Sequence, residues 1–237
     1  MAKKDDLRRQ RAGTIINLKS SKQEGRLRGA LEVVVKKLTD DFGVLLHHER
    51  EWRLIDIVAR LRTHFPDVTF HHYSNKSAMR PDGGILSVKA ASGTHHPILI
   101  VEVKNQGTND LRLQEGKAAQ AKGNAIERLG KNVIGFRTAM LSEDIVPFVC
   151  FGDGCDFADE STILDRVVTI GMFGPLNQIQ VVNVGTNGCF NRGSFYFRSG
   201  TWTADEMAAV MLEVAQRSLF YYFAKYGKAL FDSAGGV

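Results

Sequence analysis

The chain has 237 residues, of which 43% are hydrophobic and 24% are charged, with a formal net charge of +5. This length allows one substantial hydrophobic core or at most two small ones, and no apolar run is long enough to span a bilayer. The basic N-terminus has no apolar segment behind it, so we expect no signal peptide and an intracellular protein. The charge balance permits an anionic partner without identifying one.

Residues 1–18 are rich in lysine and arginine and predict a basic N-terminal arm, followed by a single domain over 19–237. The arm is compatible with contact to phosphates or with a solvated terminus. Ser21 and Glu24 have the spacing of a capping box, which predicts a helix that begins at Ser21 and ends at Gly43. A second helical pattern ends before Pro66.

Runs of apolar, β-branched and aromatic residues predict several strands between and after these helices. They cover 68–73, 85–90, 97–104, 145–151, 166–170, 179–184 and 194–198. The segment 110–141 has a helical composition interrupted at Gly116 and Gly123, and a capping box from Thr203 to Glu206 opens a last helix that runs to Gly227. This alternation predicts one α/β domain with a mixed sheet.

Cysteines and histidines give no clear metal site. The three cysteines lack the paired spacing of zinc ligands, and Cys150 lies in the apolar run 146–151, which predicts a buried thiol. Histidines occur as doublets at 47–48, 71–72 and 95–96. Because neighbouring side chains on a strand face opposite ways, we expect one packed and one solvent-facing ring in each doublet.

Two acids and a lysine are predicted to meet at the end of a core strand. Residues 98–101 are apolar on both faces, and Glu102 and Lys104 then project from one face about 6–7 Å apart. Antiparallel pairing with the strand after Asp82 would bring Asp82 beside them. The set fits metal-assisted phosphodiester hydrolysis, with Asp82 and Glu102 as Mg²⁺ ligands and Lys104 orienting the attacking water. A plain Pro-Asp-Gly turn and a surface ion pair remain the alternatives.

A second motif, Gly-Asn-Ala-Ile-Glu-Arg at 123–128, follows one probable helix and opens another. A structural interpretation makes Asn124 the N-cap and Glu127 its capping-box partner. A functional interpretation has Asn124 and Arg128 contacting purine edges in a major groove, while Glu127 accepts from an adenine amino group or holds Arg128.

With the segments 80–85 and 101–107, this hexapeptide makes the chain resemble the EcoRI family of type II restriction endonucleases, within the PD-(D/E)xK superfamily. The resemblance covers most of the chain from about residue 20. It implies a restriction-endonuclease-like fold, a central mixed β-sheet flanked by helices on both sides. It also implies Mg²⁺-dependent cleavage of double-stranded DNA by a homodimer, four-base 5′ overhangs, and a cognate DNA methyltransferase as functional partner in a prokaryotic cytoplasm.

The resemblance also implies roles for individual residues. Asp82, Glu102 and Lys104 take the catalytic positions, with Asp82 and Glu102 holding the metal. Base recognition at an AATT core falls to the residues of the hexapeptide, namely Gly123, Asn124, Ala125, Glu127 and Arg128.

The outer base pair of the site stays open. Where the family has arginines, the segment 176–181 offers glutamines and a valine. GAATTC, CAATTG and a degenerate outer pair are therefore all compatible. Lys122, a donor-only side chain directly before Gly123, is a candidate for contacting an outer guanine, or else a phosphate.

Two other functions compete with this one. A repair or junction-resolving nuclease would share the two acids and the lysine but would not need base contacts at 123–128. A non-cutting, sequence-specific DNA-binding protein would need neither the acids nor the lysine.

Overall fold

The structure is a computed structural model that describes residues 15–105, 116, 124–158, 161–171 and 175–231. Side chains at 15–21, 124, 125, 127, 155 and 171 lie outside that description. Over the part of the chain that is described, no helix has the length and apolar character needed to cross a membrane.

A five-stranded mixed sheet forms the centre of the molecule. Its strands are β1 (Leu46–Glu49), β4 (Ile85–Lys89), β5 (His95–Asn105), β6 (Phe148–Asp153) and β7 (Ser194–Arg198), in the spatial order β1-β4-β5-β6-β7. The pairs β1/β4 and β4/β5 are antiparallel, whereas β5/β6 and β6/β7 are parallel. A separate two-stranded sheet pairs β2 (Trp52–Arg53) with β3 (Ala78–Met79).

Helices cover both faces of the main sheet. They are α1 (Ile15–Phe42), α2 (Leu54–His64), α3 (Asn124–Ala139), α4 (Thr162–Gly171), the single turn α5 (Gly185–Gly188) and α6 (Ala204–Tyr226). On one face, Phe136 of α3 stacks on Phe148 of β6, with ring centroids 5.7 Å apart. On the other, Trp202, just before α6, packs on Phe151 at 5.5 Å. Since Phe148 and Phe151 point to opposite faces of β6, the predicted fold class is confirmed.

Strand β5 lies at the centre of the sheet and of the core. Ile98, Leu99, Ile100 and Val101 are each at most 1% exposed. Burying a side chain of this size contributes about 1.5–3 kcal/mol. The strand is therefore held on both faces, and the polar residues that follow it start from a rigid base.

Several predicted boundaries are confirmed. Helix α1 ends at Phe42, before Gly43 in the left-handed region at φ +65°. Helix α6 begins after Thr203 with a complete capping box and ends before Gly227. The last strand, Ser194–Arg198, has the predicted bounds. Cys150 is fully buried.

The start of the first helix is a correction. Helix α1 begins at Ile15, so Ser21 and Glu24 lie inside it and do not cap it. Residues 15–20 contain neither proline nor glycine. Because nothing there breaks the helix, the capping spacing at Ser21 has no terminus to act on.

Three strand predictions were wrong. The segment 68–73 forms no strand, and its last residue, Tyr73, is 97% exposed. Residues 166–170 belong to α4, where Ile163 and Val167 are both buried one turn apart, so helical packing overrides their β-branched composition. Residues 179–184 contribute only an isolated bridge, Ile145 to Val182.

The histidine doublets followed the predicted alternation only in part. His47 is partly buried and stacks on His95 at 4.1 Å, and His48 is exposed. At the third doublet both rings are packed, because His96 lies 4.9 Å from the Tyr222 ring of α6. The rings of His95 and His96 still lie on opposite faces of β5. His95 contacts His47 of β1 and His96 contacts α6, so both faces are covered at this doublet.

Candidate active site

The turn Pro81–Gly84 places Asp82 against β5. Gly84 donates its backbone N–H to Pro81 O at 3.0 Å and has φ +72°. A Cβ on Gly84 would lie 2.7 Å from the backbone oxygen of Glu49, and one on Gly83 would lie 2.8 Å from Val101 Cβ. The two glycines therefore let the turn lie directly on its neighbouring strands.

Asp82, Glu102 and Lys104 meet at the carboxyl end of β5. Asp82 Oδ2 accepts hydrogen bonds from Val103 N at 3.2 Å and from Lys104 Nζ at 3.3 Å. Asp82 N donates to Glu102 Oε2 at 3.3 Å. Lys104 Nζ also donates to Glu102 Oε1 and, at 3.1 Å, to Val103 O. The predicted juxtaposition of these three residues is thus present in the fold.

The electrostatics of this cluster are dominated by burial and by the charges themselves. Glu102 is only 2% exposed, and burial raises the pKa of its carboxyl, an effect that Lys104 opposes and Asp82 reinforces. Burial lowers the pKa of Lys104, but the charges of Glu102 and Asp82 and the hydrogen bond to Glu102 outweigh that effect and raise the pKa. Lys104 is therefore an ammonium at neutral pH.

The donor set fits Mg²⁺. Asp82 Oδ2, Glu102 Oε1 and the Val103 carbonyl oxygen already surround one cation, the Lys104 ammonium, and all are hard oxygen donors. Within the described ranges, no cluster of three or more His, Cys, Asp or Glu side chains forms a metal site. Mg²⁺ does not require one, because it binds through one or two carboxylates and completes its coordination with water and substrate phosphate oxygens.

Helix α3 also reaches this cluster. Asn132 of α3 donates its Nδ2 to Glu102 Oε1 at 3.1 Å. The sequence analysis did not identify Asn132. The sequence did contain one indication. Asn132 adjoins the buried helical stripe formed by Leu129, Val133 and Phe136, and an amide next to such a stripe needs a polar partner.

A cleft of about 630 Å³ opens beside the turn and includes Asp82 in its wall. Three arginines from separate parts of the chain also line it, namely Arg28 of α1, Arg50 after β1 and Arg80 before the turn. Arg80 is paired with Glu51 at the surface. His48, on the same wall, bonds through Nε2 to Gly83 O at 2.9 Å. The sequence alone gave no indication that α1 borders the turn Pro81–Gly84.

The predicted base-contacting residues are described to different extents. Lys122 and Gly123 lie outside the described residues. Asn124, Ala125 and Glu127 are described as helix backbone in α3, without their side chains. Arg128 is exposed, one turn before Asn132 on the same helix.

The segment 176–181 is tied to the β-sheet by side-chain and backbone hydrogen bonds. Val181 is 3% exposed, and Asn177 accepts a hydrogen bond from Phe197 N of β7 at 3.0 Å. Gln180 is tied through its backbone N to Ser194 Oγ at 2.9 Å. Gln178 is exposed.

Comparison with known proteins identifies relatives of this chain. The family profile described as restriction endonuclease EcoRI matches residues 10–229. The type II restriction enzyme RsrI of Cereibacter sphaeroides is 34% identical over 241 residues, covering 87% of each chain. The type II restriction enzyme EcoRI of Escherichia coli is 29% identical over 182 residues, covering 68% of this chain and 66% of its own.

The profile match takes in α1, the whole sheet and α6, and RsrI aligns with almost the same share of the chain. The described architecture, a mixed sheet with helices on both faces, is the one expected for such enzymes. The chain therefore belongs to the EcoRI family of type II restriction endonucleases, which are DNA-binding, site-specific deoxyribonucleases.

Proposed function

We propose that this enzyme hydrolyses both strands of duplex DNA with Mg²⁺ at a palindromic site with an AATT core and leaves 5′ overhangs. The observation that carries the proposal is the convergence of Asp82, Glu102 and Lys104 at the end of β5, where Asp82 also lines a cleft that bears three arginines. A buried carboxylate beside a second carboxylate costs folding free energy, so a chain that keeps the pair has a use for it.

In this proposal Asp82 and Glu102 hold Mg²⁺, and Lys104 acts on the phosphate and the water. Bound Mg²⁺ supplies polarisation of the scissile phosphate and a lowered pKa for its water ligand. The Lys104 ammonium neutralises negative charge that develops on the phosphate oxygens and orients the attacking water by donating a hydrogen bond. Val103 N fixes Asp82 Oδ2, so the carboxylate does not have to be ordered when DNA binds.

The DNA backbone enters the cleft beside Asp82 in this scheme. Arg28, Arg50 and Arg80 come from three separate segments, so their shared position in one wall follows from the fold and not from a local basic run. Guanidinium groups bind phosphate oxygens through two parallel hydrogen bonds and position a duplex without regard to its sequence.

Base contacts come from the start of α3. Asn124, Glu127 and Arg128 would contact the adenines of AATT, with Gly123 and Ala125 passing along the thymines. Exposure of Arg128 on the helix that also reaches Glu102 supports this assignment. Lys122 would contact the outer base pair, where a guanine offers the O6 and N7 acceptors that suit an ammonium.

A palindromic site matches a homodimer with a two-fold axis, in which each subunit cuts one strand. The enzyme would act in the cytoplasm of a prokaryote, and a methyltransferase of the same specificity would protect the host DNA there. The two proteins share a recognition sequence and need not touch.

End sequencing of cut DNA tests the proposal. Plasmid and bacteriophage DNA are incubated with the enzyme and Mg²⁺, and fragment ends are read for wild type and Lys122→Ala. We expect every end to fall directly 5′ of the AATT core, which makes AATT the four-base 5′ extension. We also expect no cleavage in chelator and an altered preference among outer pairs in the variant. Ends scattered over sequence, or confined to branched DNA, would support a repair or junction-resolving nuclease instead.

The Lys122 assignment can fail independently. An unchanged preference among the four symmetric outer pairs in Lys122→Ala would remove Lys122 from base contact and leave the AATT core in place. Sequence-specific binding without DNA cleavage in the presence of any divalent metal ion would make the chain a non-cutting DNA-binding protein.

A further inference from the structure

Glu102 receives hydrogen bonds from two different layers of the molecule. Its Oε2 accepts from Asp82 N at 3.3 Å, within the turn beside β5. Its Oε1 accepts from Lys104 on its own strand and from Asn132 Nδ2 of α3 at 3.1 Å. Among the described residues, Asn132 is the one donor to this carboxylate that comes from a helix.

Asn132 lies next to the buried face of α3 and one turn after Arg128, near the start of the helix. Leu129, Val133 and Phe136 on the adjoining stripe are at most 1% exposed, which fixes the rotation of the helix about its axis. Arg128 lies one turn earlier, about 6 Å along the axis at 1.5 Å per residue. Because a helix moves as a rigid rod over this length, a shift at Arg128 displaces Asn132 as well.

We infer that Asn132 is a positioning residue that couples base contacts at the start of α3 to the orientation of the Glu102 carboxylate. This inference rests on the proposed role of α3 in DNA recognition. When α3 is seated on the correct bases, the Asn132 amide holds Oε1 in the orientation that a metal ligand needs. When the bases are wrong and α3 is displaced, that hydrogen bond is lost and Lys104 alone holds Oε1.

The amide suits this task for a chemical reason. A neutral donor orients a buried carboxylate without neutralising it, whereas a lysine or arginine in the same place would compete with a bound cation. The hydrogen bond therefore acts on the direction of Glu102 and leaves its charge for the metal. A purely structural amide would satisfy the buried oxygen equally well, so the test must separate coupling from support.

The experiment compares Asn132→Ala and Asn132→Gln with the control Ile134→Ala, a change at a side chain on the same helix that is 65% exposed. Single-turnover cleavage is measured on a duplex with the site defined by end sequencing and on one with a single substituted base pair. Metal-free binding is followed by fluorescence anisotropy, and Ca²⁺ binding to the DNA complex by calorimetry. Thermal unfolding confirms that each variant is folded.

We expect Asn132→Ala to cut its correct site about 10–100-fold more slowly, as loss of a ligand's supporting contact commonly does. We expect the substituted site to lose less than threefold, roughly, because the contact is already broken there, so discrimination at the cleavage step falls. In Asn132→Ala, the affinity for DNA without metal stays unchanged, whereas Ca²⁺ binds to the complex more weakly. Asn132→Gln recovers part of the cleavage rate, and Ile134→Ala cuts like wild type.

Equal rate losses on both duplexes would overturn the coupling and leave Asn132 as general support for Glu102. Unchanged rates would overturn any role for the contact. Because the duplex carries whatever site the wild-type enzyme cuts, an error in the AATT assignment does not affect the outcome. A wild-type enzyme that cuts no DNA refutes the proposed function, and this inference with it.

Discussion

The molecule contains two lysine–carboxylate clusters, which differ in net charge and in location. In the strand-end cluster, Lys104 is bonded to two carboxylates, Asp82 and Glu102. In the helix clamp, made of Glu143, Tyr221, Lys225 and Tyr226, Lys225 Nζ meets one carboxylate oxygen, Glu143 Oε2, at 2.8 Å. The clamp joins α6 to the loop after α3.

Charge and donor count separate the two. With Glu143 and Lys225 both ionised, the helix clamp has no net charge. Glu143 also accepts hydrogen bonds from Tyr221 at 2.9 Å and from Tyr226 at 3.3 Å. Three donors from α6 hold its one carboxylate. With all three groups ionised, two carboxylates and one ammonium give the strand-end cluster one net negative charge, and Asp82 of this cluster lines a cleft. Removing one partner from a paired, neutral cluster destabilises a fold, whereas an excess of anionic oxygen beside a cleft attracts a cation.

The substitution with the largest expected effect changes only the strand-end cluster. Glu102→Gln keeps the shape of the side chain but removes its charge, so we expect cleavage to fall at least about 100-fold while sequence-specific binding is retained. Single-turnover cleavage and gel-shift assays on one duplex measure both. A variant that retains turnover within about tenfold of wild type would remove Glu102 from the site.

The matching change in the helix clamp should affect folding instead. Glu143→Gln leaves Lys225 without its carboxylate, and hydrogen bonds to charged groups contribute about 1.5–3 kcal/mol. We expect the midpoint of thermal unfolding to fall by about 3–12 °C, at roughly 2–4 °C per kcal/mol for a chain of this size. Cleavage at 25 °C should equal wild type. A specific loss of cleavage rate would mean that the clamp, too, serves the chemistry.

Arg128→Ala tests whether α3 links base recognition to the strand-end cluster. A base-edge contact is worth about 1–3 kcal/mol of discrimination, so binding to the correct duplex should weaken about 5–150-fold more than binding to random DNA. Competition binding against both DNAs at fixed salt gives the ratio. Equal weakening on both would make Arg128 a phosphate contact or a structural residue.

The smallest effect concerns an ion pair that belongs to neither cluster. The Arg198 hydrogen bond and the Thr203 cap lower the pKa of Glu206 from its ordinary 4.5 to about 2. Its stabilisation is therefore complete above about pH 5 and is lost as the pH falls towards 2. The Glu206 side chain is 42% exposed, so Glu206→Gln should change the free energy of unfolding at pH 7 by less than about 1 kcal/mol.

The pH dependence of the free energy of unfolding tests the contribution of this ion pair. Urea unfolding at pH 7 and at pH 3 should show a smaller acid-induced loss of stability for Glu206→Gln than for wild type. A larger loss in the variant would reverse the sign and contradict the assigned pKa.

Sequence patterns predicted the strand-end cluster because each part of it is local or short-range. Alternation along β5 places Glu102 and Lys104 on one face, and the turn after Pro81 needs only antiparallel pairing to bring Asp82 there. Asn132 and Arg28 could not be predicted in this way. Their positions depend on how α3 and α1 dock on the sheet, which no pattern within either helix specifies.

The errors have a related cause. Residues 166–170 have the composition of a strand, but burial of Ile163 and Val167 on one side stabilises a helix. The spacing from Ser21 to Glu24 is that of a capping box, yet α1 continues through it from Ile15. Local propensity failed where tertiary packing or the length of the element decided the structure.

Metal binding gives the most direct test of the account, because it depends on the location of the anionic oxygens and not on turnover. Mn²⁺ is titrated into the protein–DNA complex and followed by electron paramagnetic resonance for wild type, Asp82→Asn and Glu143→Gln. We predict that Asp82→Asn weakens Mn²⁺ binding at least about tenfold and that Glu143→Gln leaves it unchanged. Wild-type affinity in Asp82→Asn would place the metal elsewhere and contradict the assignment of the strand-end cluster as the catalytic site.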